Sequence, residues 1–562
     1  MGLLLWALFP LALVAAVLYL IYLRIKPTGH GGPPRVEKGV PLLGAALAYF
    51  GSPVKTLEWA HLMYGNVFRL NLLFFDAVFL LRSSLLWRAM ETNVAQQDGG
   101  GSLHSTLDKY FYNAEETGEI SHHQGTAHNP AHHDEWPSYP MSGVERLRRL
   151  AYFHANPSTQ IPKANLQKMQ EAVATVFRTE RMEQYSQRCA DIAQRTLDEW
   201  TKQAGRDGYI ELAAAVQGLV MEINTRLLLG DAFYAAHGRA FAESFLALEK
   251  ESAHLLARIL PDLPFIPPVK RALEARRTLA SLIEQELARL RQSKSSDDEG
   301  HLLHLLAQVK QEDGSWLPIE QSVDTVLQMF YYGQANTTGH LTWLIAHMSQ
   351  RGHAQDLHRV RREQRRAMGE SEELAYSQFS SFRELEQCIQ EVTRLYFTTT
   401  LPPRKAIKSF KFEGFTIPEG SLLCVSPILG HLDSDIFPDA GIFFPKRFAP
   451  PKKKQAPETK TAFNPSSFYG MAYVQFGYGM HKCPAEKYAM TVLTSFFSVL
   501  VRTRSVELKD NKLPLPQYPA TFGTATPTGD ILIRLQPYAI PRELMFEEDE
   551  PEVIRSILPP AH

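Results

Sequence analysis

The run Phe476-Gly477-Tyr478-Gly479-Met480-His481-Lys482-Cys483-Pro484-Ala485-Glu486 limits the fold of this chain more than any other segment. Two glycines ahead of a cysteine let the backbone turn tightly and come close to a flat group. From Ala485 to Arg502 the residues are helix formers and apolar side chains, so Cys483 is expected just before a helix N-terminus. There the helix dipole and free N–H groups favour an anionic thiolate over a thiol. A lone thiolate on such a turn suits the axial position of a haem iron, where it donates electron density and favours O–O cleavage. The alternative is a buried, inert cysteine behind a glycine turn, a common state of free cysteine.

Two further segments bear on that choice. Glu391 and Arg394 lie in a predicted helix over Arg383–Tyr396 at a spacing that puts them on one face. Most such pairs are solvated surface charges. Phe444-Pro445-Lys446-Arg447-Phe448 lies between that pair and Cys483. The segment Val323–Ser349 is apolar with helical period and carries Gly333-Gln334-Ala335-Asn336-Thr337-Thr338 in its middle. Glycine and threonine are unfavourable there, and a threonine bonding back to the i−4 carbonyl is expected to bend the helix. A plain packed amphipathic helix with incidental threonines is the alternative.

Together these residues resemble the cytochrome P450 superfamily. Its signature, Phe-x-x-Gly-x-basic-x-Cys-x-Gly/Ala, is matched by Phe476, Gly479, His481, Cys483 and Ala485. The resemblance implies a mainly α fold with small β sheets, haem b ligated by Cys483, and a buried structural triad of Glu391, Arg394 and Arg447. It implies that Arg404 and His481 meet the haem propionates and that Phe476 lies in the cofactor-binding loop. It lays the central helix across the distal face and makes Thr337 and Asn336 catalytic, Thr337 relaying protons through water and Asn336, standing where the family has an acid, orienting a water without titrating. An acid restored at Asn336 is therefore expected to be tolerated or mildly helpful. Gln334 and Asn336 depart from the usual Ala/Gly-Gly-x-Asp/Glu-Thr-Thr pattern and are similar to the branch holding sterol 7α-hydroxylases, oxysterol hydroxylases and prostacyclin synthase.

The activity so implied is monooxygenation of a hydrophobic small molecule, a sterol or other lipid. Electrons would come from NADPH through NADPH–cytochrome P450 reductase. Two rival readings stay open. One is an isomerase or dehydratase that rearranges a lipid peroxide without a reductase. The other is a haem-binding protein without catalysis. Lys452, Lys453, Lys454, Lys482 and Lys487 either form a basic docking face for the reductase or merely solvate a loop.

Residues 2–23 are almost wholly apolar, with Arg24 and Lys26 following. This reads as a transmembrane signal anchor leaving the rest of the chain cytosolic. A cleavable signal would be shorter and end on small residues. By the resemblance, the membrane is that of the endoplasmic reticulum, crossed once. A Pro/Gly linker (24–40), a catalytic domain (41–541) and an acidic tail (542–562) follow. Within the domain, 96–139 is rich in Gly, His, Asp and Glu and reads as a flexible surface insertion; a metal site on His122, His123, His128, His132 and His133 is the alternative. Residues 162–307 read as mostly helix, and Thr398–Leu423 as strands and turns. At net charge −1 the chain carries no electrostatic footprint for nucleic acid. Its four cysteines show no CxxC spacing, as in a reducing compartment.

Overall fold

The computed structural model describes residues 31–36, 45–72, 75–81, 111–113, 163–204, 207–254, 256–257, 263–292, 300–369, 371, 373–397, 404–406, 409–419, 421–450, 473–477, 483–519 and 523–538. Helices α1 (Ala46–Gly51) and α2 (Pro53–Tyr64) lead through Gly65, at φ +82°, into β1 (Val67–Leu72) and β2 (Phe75–Leu81). A short strand β3 (Phe111–Asn113) precedes the helices α3 (Lys163–Val176) and α4 (Thr179–Gln203). Strand β4 (Ile210–Glu211) then opens α5 (Leu212–Asn224), whose first N–H groups, from Ala213 and Ala214, donate to the Glu211 carboxylate. The helical run continues with α6 (Asp231–Ala253), α7 (Pro267–Gln292), α8 (Leu302–Gln308) and the long α9 (Ile319–Met348).

After α9 come α10 (Ala354–Met368) and α11 (Arg383–Leu395). The strands β5 (Arg404–Ala406), β6 (Phe410–Phe412), β7 (Phe415–Ile417) and β8 (Leu422–Ser426) follow, then the short α12 (Pro427–His431). Helix α13 (Glu486–Thr503) and the strands β9 (Arg504–Leu508), β10 (Pro516–Gln517), β11 (Thr526–Pro527) and β12 (Leu532–Pro537) complete the described chain.

The largest sheet has the order β1-β2-β8-β5-β3, with β2 and β8 parallel and the other pairs antiparallel. Its edge strand differs from expectation. Phe111–Asn113 falls inside 96–139, read from the sequence as a flexible insertion, yet pairs residue for residue with Arg404–Ala406. Three residues are too few for a period of two to show in a sequence. The rest of 96–139, histidines included, lies outside the described residues.

One large apolar cluster joins the helices. Its centre is the C-terminal half of α9, where every residue from Leu341 to Met348 is buried, packed against α13, buried from Thr491 to Val501. A helix apolar on all sides can only sit inside a helical layer. Phe330 of α9 meets Phe241 and Phe245 of α6 edge-on, with ring centroids 5.0 and 5.8 Å apart. Fully burying each such side chain is worth about 1.5–3 kcal/mol. This packing sets the central helix beside the helix that follows Cys483.

Residues 2–23 lie outside the described residues. Among the described residues one stretch, Leu212–Leu229, has the length and apolarity to cross a membrane, but 61% of it is buried inside the protein, as a core helix is.

Candidate active site

Helix α11 holds the first part of the site. Its apolar residues Leu385, Ile389 and Val392 recur at helical spacing and face the core. Its N-terminus is closed from a distance: the Glu363 carboxylate on α10 accepts from the N–H groups of Glu384 (2.6 Å) and Leu385 (2.7 Å). Burial nevertheless pushes the Glu363 carboxyl up to about 7.

Glu391 and Arg394 of this helix are wholly buried, and Arg447 is nearly so. Arg394 donates from Nε and Nη2 to the two oxygens of Glu391, both at 2.8 Å. Arg447 donates from Nε to the same oxygens at 2.9 and 3.1 Å, and the Phe444 N–H adds a further bond at 2.9 Å. The remaining guanidinium donors go to backbone. Arg394 Nη1 reaches the carbonyls of His431 (2.6 Å) and Ala440 (2.8 Å). Arg447 Nη1 reaches that of Pro438 (2.8 Å). Arg394 grips the carboxylate as a planar fork and Arg447 through its Nε alone, all by charge-assisted bonds, so the triad staples the segment 431–447 to α11.

The same helix grips the loop before the cysteine. The Thr393 hydroxyl bonds Tyr473 Oη (2.7 Å) and donates to Gln475 Oε1 (3.1 Å). His431, buried, donates from Nδ1 to the Arg394 carbonyl (3.2 Å) and accepts at Nε2 from the Val474 N–H (3.3 Å). Gly477 then turns at φ +70°, in the region that favours glycine, and the Cys483 N–H returns to the Phe476 carbonyl at 2.8 Å. Phe476 is half-buried on this turn. Helix α13 starts three residues after Cys483, within one residue of the predicted position.

Cys483 is half-buried, whereas Cys189, Cys388 and Cys424 are buried. Burial pushes the thiols of Cys189 and Cys424 up to about 12 and raises that of Cys388 as well. Only Cys483 therefore combines access with a place beside a helix N-terminus, and the donor set fits a haem held by one thiolate. Beside it opens a cleft of about 610 Å³ lined by Arg178, Thr179, Glu180, Glu486 and Lys487 among others. Lys487 donates to Thr179 Oγ1 at 2.5 Å. Lys452, Lys453, Lys454, Lys482 and His481 lie outside the described residues. Arg404 sits on β5 between Leu423 and Asn113, a placement of its backbone alone.

The central helix α9 spans Ile319–Met348 as one element. The back-bond expected of a threonine is made by a different residue: Asn336 Nδ2 donates to the Tyr332 carbonyl at 2.8 Å. An amide is longer than a hydroxyl and reaches back a full turn as readily. Thr337 is buried and its hydroxyl has no hydrogen-bond partner among the described residues. Gln334, buried, turns to α5: it donates to the Gln217 carbonyl (3.0 Å) and accepts from Asn224 Nδ2 (3.1 Å), whose Oδ1 accepts from Tyr488 Oη (2.8 Å) on α13. Sequence reasoning missed these partners, and also Thr524, which meets Asn336 from outside its motif. No local spacing connects residues so far apart in the chain.

The profile of the family described as Cytochrome P450 matches residues 148–533. The chain belongs to the cytochrome P450 family. Its enzyme class is cytochrome P450 monooxygenase. It is 23% identical over 522 residues to lanosterol 14-alpha demethylase of Homo sapiens, covering 91% of this chain and 90% of that protein. It is 24% identical over 334 residues to sterol 14alpha-demethylase of Mycobacterium tuberculosis (strain CDC 1551 / Oshkosh), covering 59% and 70% respectively. Retinoic acid-bound cyanobacterial CYP120A1 shares the fold, with TM-score 0.68 and 19% identity over 90% of this chain and 99% of that one.

Proposed function

We propose that this monooxygenase inserts one atom of dioxygen into a sterol or a comparably rigid lipid, with electrons from NADPH through a reductase. The long match to sterol demethylases supports the substrate class. Gln334 and Asn336 keep the 7α-hydroxylase type of sterol oxidation within that class. Residues 2–23 anchor the protein in the endoplasmic reticulum membrane, where such substrates partition, and residues 24–40 link the anchor to the catalytic domain.

The observation that carries the catalytic reading is the uncommitted hydroxyl of Thr337, buried on the central helix. Bound haem would supply the redox chemistry of oxygen activation. The protein's own residues do the rest. Cys483 would hold the iron. Arg404 and His481 would neutralise the propionates, Phe476 would shape the ligand loop, and Glu391, Arg394 and Arg447 would fix it. Thr337 Oγ1 holds a water and passes its proton on. Thr337→Ala should then leave haem content and substrate affinity unchanged but divert most NADPH electrons into hydrogen peroxide, about a tenfold loss of product per NADPH within the range of a single proton-transfer group. Product and peroxide measured together check this; unchanged coupling would remove Thr337 from the mechanism. The substrate class is tested by titrating ferric protein with lanosterol, cholesterol, retinoic acid and palmitic acid and reading the low-to-high-spin Soret shift. Sterols should shift the band, and a response confined to the retinoid or the fatty acid would overturn the sterol reading.

A further inference from the structure

Helix α9 and the segment Gly523–Ala525 approach each other at successive turns. A side chain built on Gly523, whose φ is +116°, would touch Ala335 at 4.0 Å, and one on Gly339 would strike Thr524 at 2.6 Å. Trp343 Nε1 donates to the Ala525 carbonyl at 2.7 Å. Between these contacts lies a polar junction. Thr524 Oγ1, on a buried residue, donates to Asn336 Oδ1 at 3.2 Å and lies 3.4 Å from His340 Nε2. The other end of the Asn336 amide donates to the Tyr332 carbonyl at 2.8 Å.

The two ends of Asn336 thus do opposite things, one donating and one accepting. A carboxylate can only accept. At this position it would set a charged oxygen against the Tyr332 carbonyl. A protonated carboxyl, by contrast, has one donor and one acceptor end and copies the amide.

We propose that Asn336 is a positioning residue whose amide pins the segment Gly523–Ala525 to the central helix and is not a member of the proton path. The role of the absent acid then falls to Thr337 and water. An acid at 336 does not restore a lost relay; it converts the junction into a latch that closes only when the acid is protonated. This reverses the tolerance of Asp expected from the sequence.

The surroundings keep such a latch legible. His340 is the titratable group at the junction; its pKa is lowered to about 4 by burial, so it is neutral above about pH 5. His340 also bonds the backbone of Tyr396, just past α11; the nearby phenols of Tyr396 and Tyr518 bond His347 and the Leu395 carbonyl instead and are raised by burial and uncharged. Among the described residues no carboxylate or guanidinium bonds Asn336, Thr524 or His340.

The test uses the full-length ferric protein, with an intact carbon monoxide spectrum as proof of folding. Amide hydrogen exchange of residues 523–526 is measured at about pH 5.5 and about pH 8 and corrected for the intrinsic rate, in wild type, Asn336→Asp and Thr524→Val. A buried polar group left unpaired should open the segment about tenfold more often. Wild type should be equally protected at both pH values. Asn336→Asp should match it at the lower pH and exchange about tenfold faster at the higher one. Thr524→Val should exchange faster at both. Exchange in Asn336→Asp that is the same at both pH values overturns the proposal, as does wild-type protection in Thr524→Val. If Asn336→Asp does not fold, Thr524→Val decides alone.

Discussion

Cys483→Ser abolishes the red-shifted Soret band that the reduced protein gives with carbon monoxide, while serine at Cys189, Cys388 or Cys424 leaves it in place. The band needs an anionic sulfur on the iron. A serine hydroxyl stays protonated near neutral pH and has no sulfur orbital to offer. The other three cysteines cannot substitute, because burial holds each as a thiol well above the physiological range. They also sit inside packed elements, Cys189 on α4, Cys388 on α11 and Cys424 on β8, away from any glycine turn. The measurement is the difference spectrum of each purified variant, normalised to folded protein. A thiolate band surviving in Cys483→Ser would sink the assignment.

Glu391→Ala should prevent the protein from accumulating as a stable holoenzyme. Glu391 is the carboxylate shared by Arg394 and Arg447, at 2.8–3.1 Å, and all three residues are buried. Removing it strands two guanidiniums in the interior. Breaking a buried ion pair from one side costs about 3–5 kcal/mol, out of a total stability of about 5–15 kcal/mol. The segment 431–447 loses its staple at the same time, and with it the support of the cysteine loop. Arg447→Lys should be milder, since it keeps a charge beside Glu391 but gives up the guanidinium bonds to the carbonyls of Pro438, Asp439 and Ile442. Haem content and the denaturation midpoint of the two variants check the order. A wild-type midpoint in Glu391→Ala would show that the triad does not hold the fold.

The parts of this site that the sequence disclosed are those written in nearby residues, together with Arg447, which the family resemblance supplied. Glu391 and Arg394 are one helical turn apart, and Gly477 and Cys483 bracket one turn before one helix. Helical boundaries followed apolar spacing closely: α9 begins four residues before its predicted start and ends one residue before its predicted end. What stayed hidden joins distant elements through single polar atoms. Thr393 meets Tyr473 and Gln475, Glu363 closes the N-terminus of α11, and Asn336 meets Thr524. Each is an ordinary polar residue until folding supplies its partner. Gln334 is the clearest case. In the sequence it is a departure from a glycine pattern; in the structure its amide is consumed by α5, so the bulk that looks intrusive points away into a prepared pocket of donors and acceptors.

The staple built by Arg394 and Arg447 is addressed to carbonyl oxygens of His431, Ala440 and Pro438, not to their side chains. A carbonyl is present whatever residue carries it. Substitution along this stretch can therefore drift without touching the bonds, provided the chain keeps its path and Glu391 keeps its charge. Such a lock is inherited through backbone shape and only three side-chain identities. This is one physical route by which a chain can share its architecture with CYP120A1 at 19% identity.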